Sequence, residues 1–430
     1  MIIREDFMHW LWQHKKMNWQ SMQTVDGLPV VLKRAGRHNT LAGPDFFNAR
    51  LEIDGQQWAG NVELHIRSSD WYAHGHEQDA AYQNVVLHVV WEDDVAVYNL
   101  NNQQIPTVVL RDFIAKELID GYHRLFVNQQ KKFILCESDF AQVPDIVLHP
   151  WLDRMFLERL EQKVDRIDQL LKLTENDWEA VLFIMLARNF GTKVNAAAFE
   201  TMAKTLPFRL IRRLANEEGM LEALFYGHGN LLPKHTTESQ VLRWQRDYKY
   251  LRKKFDLPEA LQEPIQFFKL RPPNFPTVRL SQLAAVYEHC PNLFSEVISR
   301  SAKKEYYEIF GQQASSYWDT HYNFGKHHRA KSKKVTASFV YLLIINTVVP
   351  IKFAFAKING QPVEDVVFDL MQSLFAEKNS IAKGFFEIRD LPENALSSQA
   401  VLQLKANYCD AHRCLHCAAG NFLISNFGGT

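Results

Sequence analysis

Residues 43–66 read GPDFFNARLEIDGQQWAGNVELHI. Phe46 to Ile53 alternates apolar and polar side chains, and Trp58 to Ile66 alternates again. A period of two predicts a pair of half-buried strands. Asp54-Gly55 between them is a hairpin signal, because both residues tolerate the dihedrals of a tight turn. Glu63 and His65 are two apart on the second strand, so they share a face while Leu64 points into the core. Asp45 stands at the mouth of the first strand, and its placement depends on register. A four-residue loop over 54–57 pairs position 46 with 65 and turns Asp45 away. A three-residue loop pairs 45 with 65 and gathers all three residues.

The flanking sequence extends this sheet. Residues 1–20 read as a short amphipathic helix with Phe7, Trp10 and Leu11 on one face. Strands are expected at 28–34, at 83–91 (QNVVLHVVW) and at 95–99. The character changes near Pro144 to Pro150. Trp151 to Leu173 and Asp177 to Asn189 have helical periodicity, with Asn176 or Asp177 as the cap of the second. Helical patterns run to about 260, RPPNFP at 271–276 interrupts, and helices resume from Val278. The expected organisation is an α/β core over 1–140, a helical domain over 141–270, and a helical region over 271–430.

With 430 residues, the chain is long for one core. A hydrophobic share of 47% and a charged share of 23% exclude a largely disordered chain. Lys plus Arg and Asp plus Glu are 49 each, so net charge names no partner. The charge is split, however: residues 1–140 hold 18 acids and 13 bases, leaving 31 acids and 36 bases for the remainder. That asymmetry fits a metal site beside a polyanion-binding surface, and it fits chance. Mixed charges in the first residues argue against a secretory signal. The apolar run Phe339 to Ile351 is about 13 residues, too short to span a bilayer, so no membrane partner is expected. Five cysteines without a paired framework fit a reducing cytoplasm. No P-loop is present, which excludes an ATP-driven motor of that type. Oligomeric state leaves no mark in the sequence.

Carboxylates of Asp45 and Glu63 converging at a strand mouth form a hard-oxygen site for Mg²⁺ or Mn²⁺. Such an ion positions a water and neutralises charge developing on a phosphodiester. The pattern Pro-Asp, a hairpin, then Glu-Leu-His, behind a helix and among strands, resembles the PD-(D/E)xK nuclease superfamily. The resemblance implies a restriction-endonuclease-like core with Asp45 and Glu63 as metal ligands. It assigns His65 to the slot where that superfamily places a water-positioning Lys, and Glu5 to its extra helix acid. His65 is the departure, since a neutral imidazole is a weaker electrostatic partner and itself a possible ligand. Over nearly its full length the chain is also similar to a bacterial family of uncharacterised proteins. That likeness runs through AGPDFFNARLEIDGQQWAGNVELHIRSSDWYAHGHEQDAAYQNVVLHVV (42–90), RPPNFPTVRLSQLAA (271–285) and the cysteine-rich end.

His65, His74, His76 and His88 fall within 24 residues. His74 and His76 flank Gly75 on an expected loop that can fold over the hairpin mouth. There they would bind phosphate, ligate a metal or protonate a leaving group, or else form ordinary loop hydrogen bonds. His88 lies in an apolar strand and reads equally as a core histidine. Cys409, Cys414 and Cys417 form C-x4-C-x2-C, a bite suited to zinc or an iron–sulfur cluster. His412, His416, Cys136 and Cys290 are the candidate fourth ligands. Some nucleases of the resembled superfamily staple a domain with one distant and three clustered cysteines, which implies Cys136 as the distant member.

Two basic stretches suggest nucleic acid as partner. Arg243, Arg246, Lys249 and Arg252 lie in RWQRDYKYLRKK, with Trp244, Tyr248 and Tyr250 interleaved as stacking platforms. Lys326, Arg329 and Lys331 lie in KHHRAKSKK. Three functions remain open: a metal-dependent nuclease, a catalytically inactive nucleic-acid-binding or scaffold protein, and a His/carboxylate metal hydrolase of a small molecule.

Overall fold

The computed structural model describes residues 3–126, 132–259 and 264–426. The chain divides into two compact units, residues 1–151 with 405–430 and residues 152–404. The break expected at 270 therefore falls inside the second unit, and the cysteine-rich segment belongs with the sheet.

In the first unit, helix α1 (Glu5–Gln13) buries Phe7, Trp10 and Leu11 as its periodicity requires. The sheet has seven strands: β1 (Met22–Gln23), β2 (Pro29–Arg34), β3 (Arg37–His38), β4 (Phe46–Ile53), β5 (Gln56–Arg67), β6 (Val85–Glu92) and β7 (Thr107–Val109). Their order is β1-β2-β4-β5-β6-β7, with β3 on β4. Pairing is antiparallel from β1 to β5 and parallel from β5 through β7. The parallel step needs a crossover, and residues 68–84 supply it with α2 (Asp70–Ala73) and two short 3-10 turns. Val95 to Asn99 is not a strand; only Tyr98 bridges, to Gln104, closing a short loop. Helix α3 (Lys116–Phe126) lies on the core, where Tyr122 stacks on Phe7 at 4.0 Å. Leu64, Val62 and Phe46 share that core with Leu415 and Ile424.

The second unit is mainly helical. Helix α4 (Asp145–Leu173) starts earlier than expected, its first seven residues belonging to the first unit, with Pro150 near its start where only one hydrogen bond is lost. Helix α5 (Trp178–Phe190) is capped by Asp177, whose carboxylate accepts from the Ala180 amide at 3.0 Å. After the 3-10 turn Pro272–Asn274, a helix runs from Pro276 to His289. The interruption is knotted by buried Arg279, which donates to Asn274 at 2.6 Å and Gln282 at 2.9 Å and lies on the Phe339 ring. Ala337–Ile358 is long and apolar enough to cross a membrane, and 78% of its apolar window is buried inside the protein. The sequence reading missed one feature here, the hairpin β8 (His321–Asn323) and β9 (Lys326–His327).

Candidate metal centre

The hairpin register differs from both expectations. Ile53 pairs with Gln56, so Asp54 and Gly55, at φ +49° and +77°, form a two-residue turn. Unbroken, that register would set Phe46 opposite Glu63. A bulge between Phe46 and Ala49 adds one residue, and Phe46 pairs with Val62 instead. Asn48 carries the bulge at φ +56°, its amide donating to Asn61 Oδ1 at 3.3 Å. One residue of slip reverses the face of everything beyond it. Asp45 thereby comes to Glu63, and the two lock reciprocally. The Asp45 amide donates to Glu63 Oε2 at 3.0 Å, and the Leu64 amide donates to Asp45 Oδ2 at 2.9 Å.

Glu63 and His65 share the face away from the Leu64 core, and both are buried. The crossover brings His74 and His76 onto that face. His76 Nε2 lies 3.4 Å from Glu63 Oε1, and His65 Nε2 lies 3.6 Å from the same oxygen. His65 Nε2 is also 3.1 Å from His74 Nδ1. Donor atoms of His65, His74 and His76 all fall within 4.8 Å of one another. On its other side, His65 Nδ1 meets His88 Nε2 at 2.9 Å. His88, fully buried on β6 opposite Glu63, is thus a support for the cluster as well as a core histidine. Burial, then His76 and His74, pushes His65 down to about 3, so its ring is neutral. Imidazoles converging on a carboxylate are a donor set for a transition ion. His88 takes up the Nδ1 edge of His65, so Nε2, which faces His74 and Glu63, is the edge turned toward the cluster.

Helix α1 supplies two more groups. Glu5 sits near Asp45, His74 and His9, and burial raises its carboxyl above the ordinary range. His9, one turn on, stands 3.1 Å from Asp45 Oδ2. Burial opposes charging of His9, but the Asp45 carboxylate outweighs it and holds the ring's pKa above its usual value. His9 was missed in the sequence; its only signal is the i, i+4 spacing from Glu5 on the helix.

Cys136 and the terminal cysteines gather within the first unit. Burial pushes the Cys409 thiol up, and Cys136, Cys417 and Cys414 each push it further. Cys414 is held up to about 12 by burial and Cys417. Cys290 lies in the second unit beside Glu296 and Arg300, and His412 and His416 are exposed.

The basic stretches are only partly as expected. Arg243, Arg246, Lys249 and Arg252 are exposed on the helix Ser239–Lys254, and Arg243 pairs with Asp247 at 3.6 Å. Lys326, Arg329 and Lys331 are exposed as well. Trp244 is not a stacking platform: it is 1% exposed, packed against Tyr226, Trp318 and Phe324. Tyr250 is 52% exposed but is covered by Lys254, whose ammonium donates to its hydroxyl at 2.6 Å.

No curated protein and no solved structure matches this chain. A family model described as a protein of unknown function, DUF2851, matches residues 5–380, so the chain belongs to that family.

Proposed function

We propose that the first unit is a metal-dependent phosphodiester hydrolase of nuclease type, with nucleic acid as its substrate class. The observation that carries the reading is the convergence of Glu63, His65, His74 and His76 beside Asp45, Glu5 and His9. With the two-residue strands β1 and β3 set aside, α1, β2, β4 and β5 follow the helix–strand–strand–strand order of the resembled superfamily, which supports a restriction-endonuclease-like core. The three imidazoles favour Mn²⁺ or Zn²⁺ over the Mg²⁺ that two carboxylates alone would suit. Such an ion supplies Lewis-acid polarisation and a nucleophile at neutral pH. Glu63 and the three histidines would hold it. Asp45 anchors Glu63 through its amide, and His9 offers a proton and positive charge to a phosphate oxygen. Exposed Arg246, Lys249, Arg252, Lys326, Arg329 and Lys331 would neutralise backbone phosphates.

The cysteines are proposed as a structural metal site. Four thiolates would suit either zinc or an iron–sulfur cluster.

The test is cleavage of labelled single- and double-stranded DNA and RNA with Mg²⁺, Mn²⁺ or Zn²⁺, comparing wild type with Glu63→Gln. Metal-dependent cutting that the variant loses supports the proposal; cutting that survives refutes the site. Salt-sensitive binding without cutting replaces it with a non-catalytic nucleic-acid-binding role. The histidine-rich donor set also favours a second reading, hydrolysis of a small molecule. That reading predicts metal at the histidines with no salt-sensitive nucleic-acid binding.

A further inference from the structure

The second unit holds another convergent donor set, remote in sequence from the first. Glu238 immediately precedes the helix Ser239–Lys254, and His321 and His327 are cross-strand partners on the β8–β9 hairpin. Glu238 Oε1 lies 3.1 Å from His321 Nε2 and 3.6 Å from His327 Nε2. The two Nε2 atoms are 3.3 Å apart. A triangle with these edges has a circumscribed radius of about 1.9 Å. A point about 2.0–2.1 Å from all three donors therefore lies just off their plane, and that is the bond length of zinc to imidazole and carboxylate.

The surrounding contacts orient two of the three donors, His321 and Glu238, toward that point. His321 Nδ1 is 2.9 Å from the Tyr317 carbonyl, which can only accept, so Nδ1 carries the hydrogen. In the neutral ring, Nε2 then presents its lone pair to the cluster. Tyr317 stacks flat on His321, with centroids 4.1 Å apart and planes within 3°. The same Tyr317 donates its hydroxyl to Glu238 Oε2 at 2.7 Å, and the Gly325 amide donates to that oxygen at 3.0 Å. One residue thus orients two donors, as outer residues of metal sites do. A single proton between His321 and Glu238 would satisfy one edge of the triangle and leave the other two short. One divalent ion satisfies all three.

We infer that Glu238, His321 and His327 form a zinc site with three protein donors and an open fourth position. The opening follows from exposure: the His327 side chain is 72% accessible while that of His321 is 5%. Three donors and an open corner are the arrangement of zinc sites that take water or an anionic oxygen as the last ligand. The ion joins the start of the basic helix to the hairpin from which the basic stretch 326–334 continues.

The experiment uses the full chain, stripped with a chelator and titrated with Co²⁺ as the spectroscopic stand-in for zinc. His327→Ala is the primary variant, since an exposed side chain is removed without opening a core. Wild type is expected to take up one more equivalent than His327→Ala or Glu238→Gln, with an absorption spectrum of nitrogen and oxygen ligation lacking a thiolate charge-transfer band. Tyr317→Phe keeps the donors and is expected to weaken that equivalent about 10–100-fold. Glu63→Gln must leave it in place, which separates this site from the first unit. Equal cobalt uptake and affinity in wild type and His327→Ala overturns the inference, as does loss of the same equivalent in Glu63→Gln.

Discussion

Asn48 decides where Asp45 points, and its backbone makes that testable. Its φ of +56° lies in the left-handed region. Asn tolerates that region, Gly enters it freely, and a β-branched residue meets its own carbonyl there. The side chain of Asn48 is exposed, and its bulge contact to Asn61 comes from the backbone amide. Neither Gly nor Val at this position therefore removes a buried side-chain contact, and the substitutions differ mainly in backbone cost. Asn48→Val should cost about 1–2 kcal/mol. For a unit of this size each kcal/mol shifts the melting midpoint by roughly 2–4 °C, so a fall of about 2–8 °C is expected. Asn48→Gly should stay within about 0.5 kcal/mol, or less than about 2 °C. The assay is thermal unfolding of the full chain by circular dichroism, with metal uptake at the histidines as a second readout. If the proposed hydrolysis is the function, a displacement of about 1 Å at Asp45 would lower it by about 10²-fold. Identical melting for Val and Gly would refute the claim that a left-handed bulge holds the register.

Three further outcomes are expected. Phe7→Ala removes a fully buried ring stacked on Tyr122 and should cost about 3–5 kcal/mol in chemical denaturation, whereas a loss under about 1 kcal/mol would contradict that packing. Burial, then Glu222, pushes Glu288 up to about 7 from its ordinary 4.5. The native state then binds the extra proton between these values, so this group's contribution is present below pH about 4.5 and lost as pH rises through about 7. Glu288→Gln should raise the unfolding midpoint at pH 8 and change it little at pH 4.5; an equal gain at both would rule out this titration. Cys136→Ser should lower the iron or zinc content of anaerobically purified protein, measured by elemental analysis, and unchanged content would remove Cys136 from the cysteine site.

Much of the sheet was legible, because alternation in 46–53 and 58–66 is a direct image of one buried face. The shared face of Glu63 and His65 followed from the same period. Register was not legible. The bulge adds a residue without breaking the apolar pattern strongly, and Asn48 carries no mark distinguishing it from an ordinary exposed strand residue. Strand β7 is only three residues, too short for periodicity to register. The Glu238 site was hidden for another reason. Its donors are 83 and 6 positions apart, and His327 sits in a run of bases that reads as a solvated surface. Trp244 was misplaced because the interleaving of aromatics with bases in a helix is also the pattern of an amphipathic helix with one buried face.

The first unit is interrupted by the second, and that sets an order of events during synthesis. Leu415 and Ile424 are part of the core beneath the sheet, yet they follow the 253 residues 152–404 along the chain. At ribosomal rates of about 5–20 residues per second, the ribosome needs roughly 13–50 s to cross that interval. For that time the α1 and β5 side of the core stands without its last apolar partners, and Cys136 waits without the three thiols that join it. The helical unit, whose residues are contiguous, has no such wait. The nascent chain is therefore expected to fold its middle before it completes the sheet unit, and to be most vulnerable to proteolysis and to oxidation at Cys136 just before residues 405–426 emerge.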